Sequence, residues 1–159
     1  MITRMDSLAI PIWRWLALLR DLRQRSAAQR ESGAFLLGRP EEDRVVKYVL
    51  YDTLDPHVAD SGVIMFRGGC IAPLWEMCHR EGMRVVADVH THPGNWTGQS
   101  SSDRVHPMIS QPKHVAIIVP CFAARWLQGL GKVGIHEYLG DRRWKTWAGD
   151  SGRVRLVII

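Results

Sequence analysis

One short segment constrains the fold of this chain more than any other, because it holds two histidines and an aspartate. It reads HTHP from His90 to Pro93 and, after a loop of six residues, SSSD from Ser100 to Asp103. His90 and His92 are two residues apart, so on an extended backbone their side chains lie on the same face and can reach one ion. Pro93 favours the end of a strand here, because proline fixes its own φ and biases the preceding residue toward extended geometry. We therefore expect a strand that ends at the rim of a sheet, then a loop, then a helix that contains Asp103.

The side chains of His90, His92 and Asp103 form a suitable ligand set for a catalytic zinc ion. Imidazole nitrogens and carboxylate oxygens bind Zn²⁺ well, and three of them leave the fourth tetrahedral position open for water. Three protein ligands are typical of catalysis, whereas four are typical of a structural site. The bound water also needs a carboxylate that takes its proton and passes it to the leaving amine.

Glu31 is the best candidate for this carboxylate, because it stands just before a short apolar segment that ends at Gly38. Together the two segments resemble the JAMM motif of the MPN/JAB metalloproteases. In that motif a glutamate before an apolar strand is joined in space to His-x-His-Pro, six residues, and Ser-x-x-Asp. Every ligand position of the motif is filled in this chain. Bacterial members often have a second glycine where this chain has Ala34.

The resemblance implies a role for each matching residue. His90, His92 and Asp103 would bind one Zn²⁺ per chain. Glu31 would act as the general acid and base, and Ser100 would donate a hydrogen bond to the developing oxyanion. The resemblance also implies the MPN/JAB fold, an α/β (α+β) architecture in which a mixed, curved β-sheet is packed by helices.

The implied activity is hydrolysis of a peptide or isopeptide bond after the C-terminal tail of a ubiquitin-like protein, in precursor processing or deconjugation. Such a tail is extended, and an exposed strand edge beside the site could hold it by strand pairing. A short chain of this kind resembles the stand-alone bacterial JAB peptidases found with activating and conjugating enzymes, some of them in antiphage defence systems. The expected partners are therefore a ubiquitin-like substrate and the cognate activating and conjugating enzymes.

Other functions remain open on the sequence alone. A related hydrolase could trim sulfur-carrier proteins or small peptides with the same motif. A non-catalytic MPN scaffold has usually lost metal ligands, and this chain has lost none. The RadC-like branch fits less well, because its motif carries asparagine where this chain has Thr91. Trp96, in the loop between the ligands, either lines the substrate groove or packs the loop.

Composition favours a single domain over residues 1–159. The chain is 46% hydrophobic and 23% charged, as in ordinary globular proteins. Its net charge of +5 comes from dispersed arginines without a recognisable nucleic-acid module, so we expect a solvated basic surface and no specific nucleic acid. The stretch from Leu8 to Leu19 is interrupted by Arg14 and is too short to span a membrane. Three cysteines at unrelated spacings and the lack of a signal-peptide pattern favour a cytoplasmic protein.

Hydrophobic periodicity predicts an N-terminal amphipathic helix within residues 8–26. Its apolar stripe comprises Ile12, Trp15, Leu16, Leu19 and Leu22. We expect this helix to cover the sheet, although the additional Trp13 leaves a partner-docking surface open. The other predicted helices are 72–81 and 103–110, and the predicted strands are 35–37, 44–51, 63–66, 84–90, 114–119, 132–139 and 153–159.

Two polar residues near the ligands have two interpretations each. Asp88 could orient a ligand imidazole, or it could face solvent from its strand. His106 follows Asp103 by three residues, so it could share a helix face with the ligand or lie on the helix surface.

Overall fold

The computed structural model describes residues 7–124, 132–148 and 155–159. The helices are α1 (Ile12–Ser26), α2 (Tyr51–Leu54), α3 (Ala72–Glu81) and α4 (Ser101–Val105). The strands are β1 (Leu8–Ile10), β2 (Gly33–Gly38), β3 (Lys47–Leu50), β4 (Arg84–Thr91), β5 (Val115–Val119), β6 (Gly134–Gly140), β7 (Arg143–Trp147) and β8 (Leu156–Ile158). Among these described helices, none is long and apolar enough to cross a membrane.

The main sheet is mixed, with the strand order β3-β2-β4-β5-β6-β7. Strands β4 and β5 run parallel, and the other neighbouring pairs are antiparallel. Strand β4 is buried from Val86 to Thr91, as expected for a central strand that is covered on both faces. The predicted α/β class is therefore confirmed, and so is the prediction that 84–90 is a central strand.

Hydrophobic cores lie on the two faces of this sheet. Alternate residues of β2 divide between them, since Leu36 packs with α1 whereas Phe35 packs with α3. Helix α1 contributes the buried side chains Trp15, Leu18, Leu19 and Leu22. Helix α3 contributes Leu74 and Cys78. Each fully buried large apolar side chain stabilises the fold by about 1.5–3 kcal/mol, so both helices are held mainly by these contacts.

The N-terminal helix is shorter than the predicted range 8–26. Residues Leu8–Ile10 form β1, which pairs in parallel with β8, and the helix begins at Ile12 after Pro11. Periodicity alone cannot separate a short buried strand from the first turn of a buried helix. The buried stripe also differs, because Leu18 is buried while Ile12 is 47% exposed.

The strands that complete the sheet differ from the prediction for 153–159. In the described part of that range, β8 pairs with β1 in a separate two-stranded sheet. The main sheet ends at β7, an antiparallel partner of β6. Periodicity does not reveal β7, because its sequence RWKTW alternates charges and aromatics without a buried apolar face.

The predicted strand 63–66 is not a strand: these residues lie in the loop between α2 and α3 and pair with no strand in the described part of the chain. The Ile64 N–H donates to the Glu31 carboxylate, and the Met65 N–H donates to the Val58 carbonyl. Loop groups therefore occupy the donors that a neighbouring strand would have used.

The two predicted helices around the site have different outcomes. Helix α3 matches the range 72–81 and ends at Gly82, which has φ +61° and caps the last turn. Helix α4 ends at Val105 rather than at residue 110. Pro107 explains this end, because proline disfavours helical geometry at the residue before it, here His106.

Candidate metal centre

The side chains of His90, His92 and Asp103 converge, as the motif predicts. One ligand atom from each lies within 4.8 Å of the other two. The two imidazole Nε2 atoms are 3.1 Å apart, and the Asp103 carboxylate oxygens lie 3.4 Å from His90 Nε2 and 3.5 Å from His92 Nε2. Both histidines are buried, so an ion among them would be largely shielded from water.

Backbone hydrogen bonds hold the end of β4, where the two histidines lie. On one side, the Thr91 N–H donates to the Ser32 carbonyl at 2.9 Å. On the other, the His92 N–H donates to the Val119 carbonyl at 2.9 Å. The Phe122 N–H then donates to the His92 carbonyl at 2.8 Å. His92 is thus fixed one residue beyond the strand, which confirms the expected strand end at the sheet rim.

A capping box at the start of α4 orients the third ligand. The Ser100 hydroxyl accepts a hydrogen bond from the Asp103 N–H at 3.1 Å. In return, the Ser100 N–H donates to Asp103 Oδ2 at 2.8 Å. The predicted capping role of Ser100 is therefore present, and the hydroxyl hydrogen of Ser100 stays available for a further acceptor.

The electrostatics of the cluster favour a cation at its centre. Burial opposes the charged form of Asp103, but its contacts with His90 and His92 hold the pKa of this carboxyl well below its usual range. Burial also opposes the charged form of His90, yet the carboxylates of Asp103, Asp88 and Glu31 produce a net rise in its pKa. Negative charge around two imidazoles is the environment that a divalent metal ion requires.

The outer ring nitrogens of the two histidines have different surroundings. His92 Nδ1 lies 3.2 Å from the Trp96 carbonyl, which accepts its proton and leaves Nε2 to face the cluster. The Trp96 ring stacks on the His92 ring, with centroids 5.6 Å apart and planes at 24°. His90 Nδ1 is buried and has no hydrogen-bond partner within the described part of the chain.

Glu31 reaches the site from the segment before β2. Its N–H donates to the Gly62 carbonyl at 2.9 Å, and its Oε2 accepts the Ile64 N–H at 3.1 Å. Glu31 does not join the ligand cluster, and its negative charge still acts on His90. Glu31 therefore lies outside the set of candidate ligands, in the segment that leads into β2.

The structure shows where the other polar residues near the ligands lie. Asp88 is buried rather than solvent-facing, and its Oδ2 lies 2.5 Å from His114 Nε2. His106 is exposed after the end of α4, so it lies at the surface. His114 and the buried Tyr51 are polar residues of this region that the sequence did not single out. Neither stands in a recognisable spacing with the ligands.

Two recesses flank the cluster. An open groove beside Ser100 is lined by Trp96, Gln99, Ser100, Ser101, Arg104 and Val105. A smaller recess beside Glu31 is lined by residues from α1, α2 and the loop that follows α2. Trp96 is 60% exposed, and its ring both lines the groove and stacks on the His92 ring.

The donor set fits a divalent metal ion. Two imidazole Nε2 atoms and one carboxylate face each other in a buried site, and the outer nitrogen of His92 is already fixed by a carbonyl. Three protein ligands also leave room for a water or a substrate oxygen.

Comparison with known proteins finds similar solved structures and one family model. In solved structures, the chain resembles protein DSY2949 from Desulfitobacterium hafniense, with a TM-score of 0.60 and 14% identity over 95% of this chain and 92% of that chain. It also resembles AF2198, a JAB1/MPN domain protein from Archaeoglobus fulgidus, with a TM-score of 0.47 and 17% identity over 84% of this chain and 91% of that chain. The likeness to DSY2949 concerns the fold alone.

A family model for prokaryotic homologs of the JAB domain matches residues 15–128. This range covers more than two thirds of the chain and includes the whole ligand cluster together with Glu31. The chain therefore belongs to the family of prokaryotic homologs of the JAB domain.

Proposed function

We propose that this chain is a zinc-dependent peptidase or isopeptidase that cleaves after the C-terminal tail of a ubiquitin-like protein. The complete cluster of His90, His92 and Asp103 carries the proposal. A domain that only binds partners has no need for buried imidazoles that face one carboxylate. The fixed positions of Ser100 and Glu31 beside the cluster add the groups that hydrolysis requires.

Each residue has a chemical task in this proposal. A zinc ion held by the three ligands would polarise the scissile carbonyl and lower the pKa of the attacking water. Glu31 takes a proton from this water while the water oxygen bonds to the carbonyl carbon. Ser100 donates its hydroxyl hydrogen to the carbonyl oxygen as negative charge develops there. Glu31 then gives the proton to the leaving nitrogen as the C–N bond breaks, which leaves a carboxylate and an amine.

The loop segment 63–66 supports binding of a substrate tail beside Glu31. Its Ile64 N–H is bonded to the proposed base, so the segment runs directly past the site. Val63 and Met65 are 50% and 66% exposed, whereas the alternate residues Ile64 and Phe66 pack against the core. We propose that an extended substrate tail lies along this segment and packs against its exposed side chains.

The groove beside Ser100 supports a tail with small side chains. Trp96 and Val105 give it apolar walls next to the proposed oxyanion donor. A glycine or another small residue before the scissile bond can approach these walls, whereas a bulky side chain would meet the Trp96 ring.

The biological setting rests on the resemblance alone. Stand-alone bacterial JAB peptidases accompany activating and conjugating enzymes, and some act in antiphage defence. We propose the same setting here, with the cognate enzymes as partners. The genes adjacent to the one that encodes this chain are the simplest check.

The proposed activity can be tested with the ubiquitin-like protein encoded beside this gene. The zinc-loaded chain is incubated with that protein fused to a reporter, and with a matched fusion in which the terminal residue of the tail is replaced by phenylalanine. We expect cleavage of the first fusion at the end of the tail and little cleavage of the second. Equal cleavage of both fusions and of unrelated peptides would instead indicate a general peptidase. No cleavage of any of them would contradict the enzymatic proposal.

A further inference from the structure

Two buried polar atoms next to the ligand cluster have no hydrogen-bond partner within the described residues. One is Nδ1 of His90, and the other is the hydroxyl oxygen of Tyr51. A buried donor or acceptor without a partner destabilises a fold, so two of them in one region call for an explanation.

The sheet register places both groups on the same face. Gly33 pairs with His90 across the antiparallel β2–β4 ladder, and directly paired residues point to the same side. Tyr51 covers this position, because a Cβ atom at Gly33 would overlap the Tyr51 ring. Phe35 pairs with Asp88 in the same ladder, and its ring centroid lies 4.8 Å from that of Tyr51. Tyr51 therefore packs over the row of side chains that contains His90 and Asp88.

Asp88 is a buried acceptor on the same face of the sheet. It lies two residues before His90 on β4, and one of its oxygens is already bonded to His114. The electrostatic surroundings agree, since burial, then Asp88 and Asp103, raise the pKa of the Tyr51 hydroxyl well above its ordinary value. The Tyr51 hydroxyl has no hydrogen-bond partner among the described residues, so it remains available to donate to the free oxygen of Asp88.

We infer that Tyr51 is a positioning residue for the metal ligand His90. In the metal-bound protein, His90 Nδ1–H donates to the Tyr51 oxygen, and the Tyr51 O–H donates to the free oxygen of Asp88. The His114 ring holds the other Asp88 oxygen and anchors this chain of hydrogen bonds. The arrangement keeps the proton of His90 on Nδ1 and leaves Nε2 to the metal.

In this arrangement, each of the two histidines donates its outer N–H to an oxygen, but the oxygens come from different parts of the chain. His92 donates its outer N–H to the carbonyl of Trp96, within its own loop. His90 has no such carbonyl, so its support comes from the side chain of α2 that covers Gly33. This inference rests on the metal site of the proposed function, and it adds a residue that the JAMM resemblance does not include.

Zinc affinity of the metal-free protein tests the inference without any substrate. Tyr51→Phe removes the hydroxyl and keeps the ring contacts with Phe35 and Phe66, so the thermal midpoint of the metal-free protein should not fall. We expect the zinc Kd, measured against a chromophoric chelator, to rise about tenfold to a hundredfold. The absorption spectrum of the Co²⁺-loaded protein should change as well.

Tyr48→Phe is the matched control. Its hydroxyl donates to Asp21 at 2.7 Å, and its side chain packs with the core on the α1 face, away from His90. Zinc affinity and the cobalt spectrum should be unchanged in this variant. Unchanged values in Tyr51→Phe as well would overturn the inference.

Nuclear magnetic resonance of the zinc-loaded wild-type protein gives a second measurement that does not depend on the variant folding. A slowly exchanging hydroxyl proton of Tyr51 should show a nuclear Overhauser effect to the Nδ1 proton of His90. Absence of that effect with both protons observed would also overturn the inference. A protein that binds zinc and cleaves nothing contradicts only the proposed function, whereas active protein with equal zinc affinity in Tyr51→Phe contradicts only this inference.

Discussion

The metal ligands and the proposed base reach one site from supports of different kinds. His90 and His92 end a central strand whose backbone is bonded on both sides, and Asp103 is fixed by its capping box. Glu31 precedes the first long strand and is bonded to a loop, through the Gly62 carbonyl and the Ile64 N–H. Metal binding and proton transfer therefore depend on different parts of the chain, and substitutions should be able to separate them.

The largest expected effect is loss of the metal when its ligands are substituted. His90→Ala combined with His92→Ala should reduce bound zinc from one ion per chain to none and abolish hydrolysis, because one carboxylate cannot hold the ion alone. Elemental analysis of protein purified without chelator measures this. The paired control is His79→Ala with His106→Ala, two exposed histidines whose loss should leave one zinc per chain. Full zinc retention in the ligand variant would show that the metal lies elsewhere.

On the base side, Glu31→Gln should lower turnover by about a hundredfold or more, since a positioned general acid and base contributes at least that much. Zinc content should stay at one per chain, because Glu31 lies outside the ligand cluster. Turnover and metal content are measured on the same preparation. Glu41→Gln, at an exposed position between β2 and β3, is the control and should be fully active. An active Glu31→Gln would assign the base to another carboxylate.

Ser100 supports the metal ligand Asp103 through the capping box, and it also supplies the proposed oxyanion hydrogen bond. Its substitution therefore tests whether metal binding and turnover can be separated. Ser100→Ala should lower turnover by about a hundredfold through loss of the oxyanion donor. It should also weaken the start of α4 by about 0.5–2 kcal/mol through loss of the cap, and so raise the zinc Kd. Ser100→Thr, which keeps a hydroxyl, should restore much of both. Unchanged zinc affinity in Ser100→Ala would mean that Asp103 is held without its cap.

The smallest expected effect concerns the loop that is hydrogen-bonded to Glu31, the proposed base. The buried Asp55 carboxylate accepts hydrogen bonds from the backbone and guanidinium of Arg67 and from the His57 N–H, so it closes the loop over residues 55–67. The guanidinium of Arg67 holds the pKa of Asp55 well below its ordinary value. A lowered folded-state pKa means that this stabilisation is present above the unfolded pKa, about 4, and is lost as pH falls below it.

Asp55→Asn should accordingly lower the thermal midpoint at neutral pH and give a shallower loss of stability below about pH 4. Turnover should fall modestly, because the loop that holds Glu31 is loosened, while zinc affinity stays unchanged. Thermal unfolding from pH 3 to pH 7 measures the first effect. Asp60→Asn, at an exposed position of the same loop, is the control. A parallel pH dependence in the wild type and in Asp55→Asn would contradict the assignment.

The metal ligands and the proposed base also differ in how well the sequence predicts them. The ligands are predictable because coordination chemistry fixes the residue types and their spacing within one short segment. The bond between Glu31 and the Ile64 N–H joins residues 33 positions apart through a loop, and no periodicity signals it. Tyr51 is missed for a similar reason, since only the fold shows that its ring covers Gly33.

At the N-terminal end, the local pattern predicted a helix where the structure has a strand, and strand β7 was not predicted. An apolar triplet such as Leu8–Ile10 continues the helical pattern, and only its distant partner β8 makes it a strand. Strand β7 lies at a sheet edge, where side chains are free to be charged, so hydrophobic alternation carries little information. The N-terminal helix itself was predictable because its buried side chains recur along one face from Trp15 to Ser26.

The shared use of the Asp103 carboxylate links ion binding to local folding. This side chain closes the capping box of a five-residue helix, which is too short to be stable alone, and it also faces the two imidazoles. An ion that binds only the ordered ligand set stabilises the folded form of α4 by the free energy of that preference. By the same linkage, ordering of α4 strengthens ion binding by an equal free energy. Amide protons of the segment 100–106 should therefore exchange with deuterium more slowly once the ion is bound. Exchange in this segment would then report ion occupancy directly.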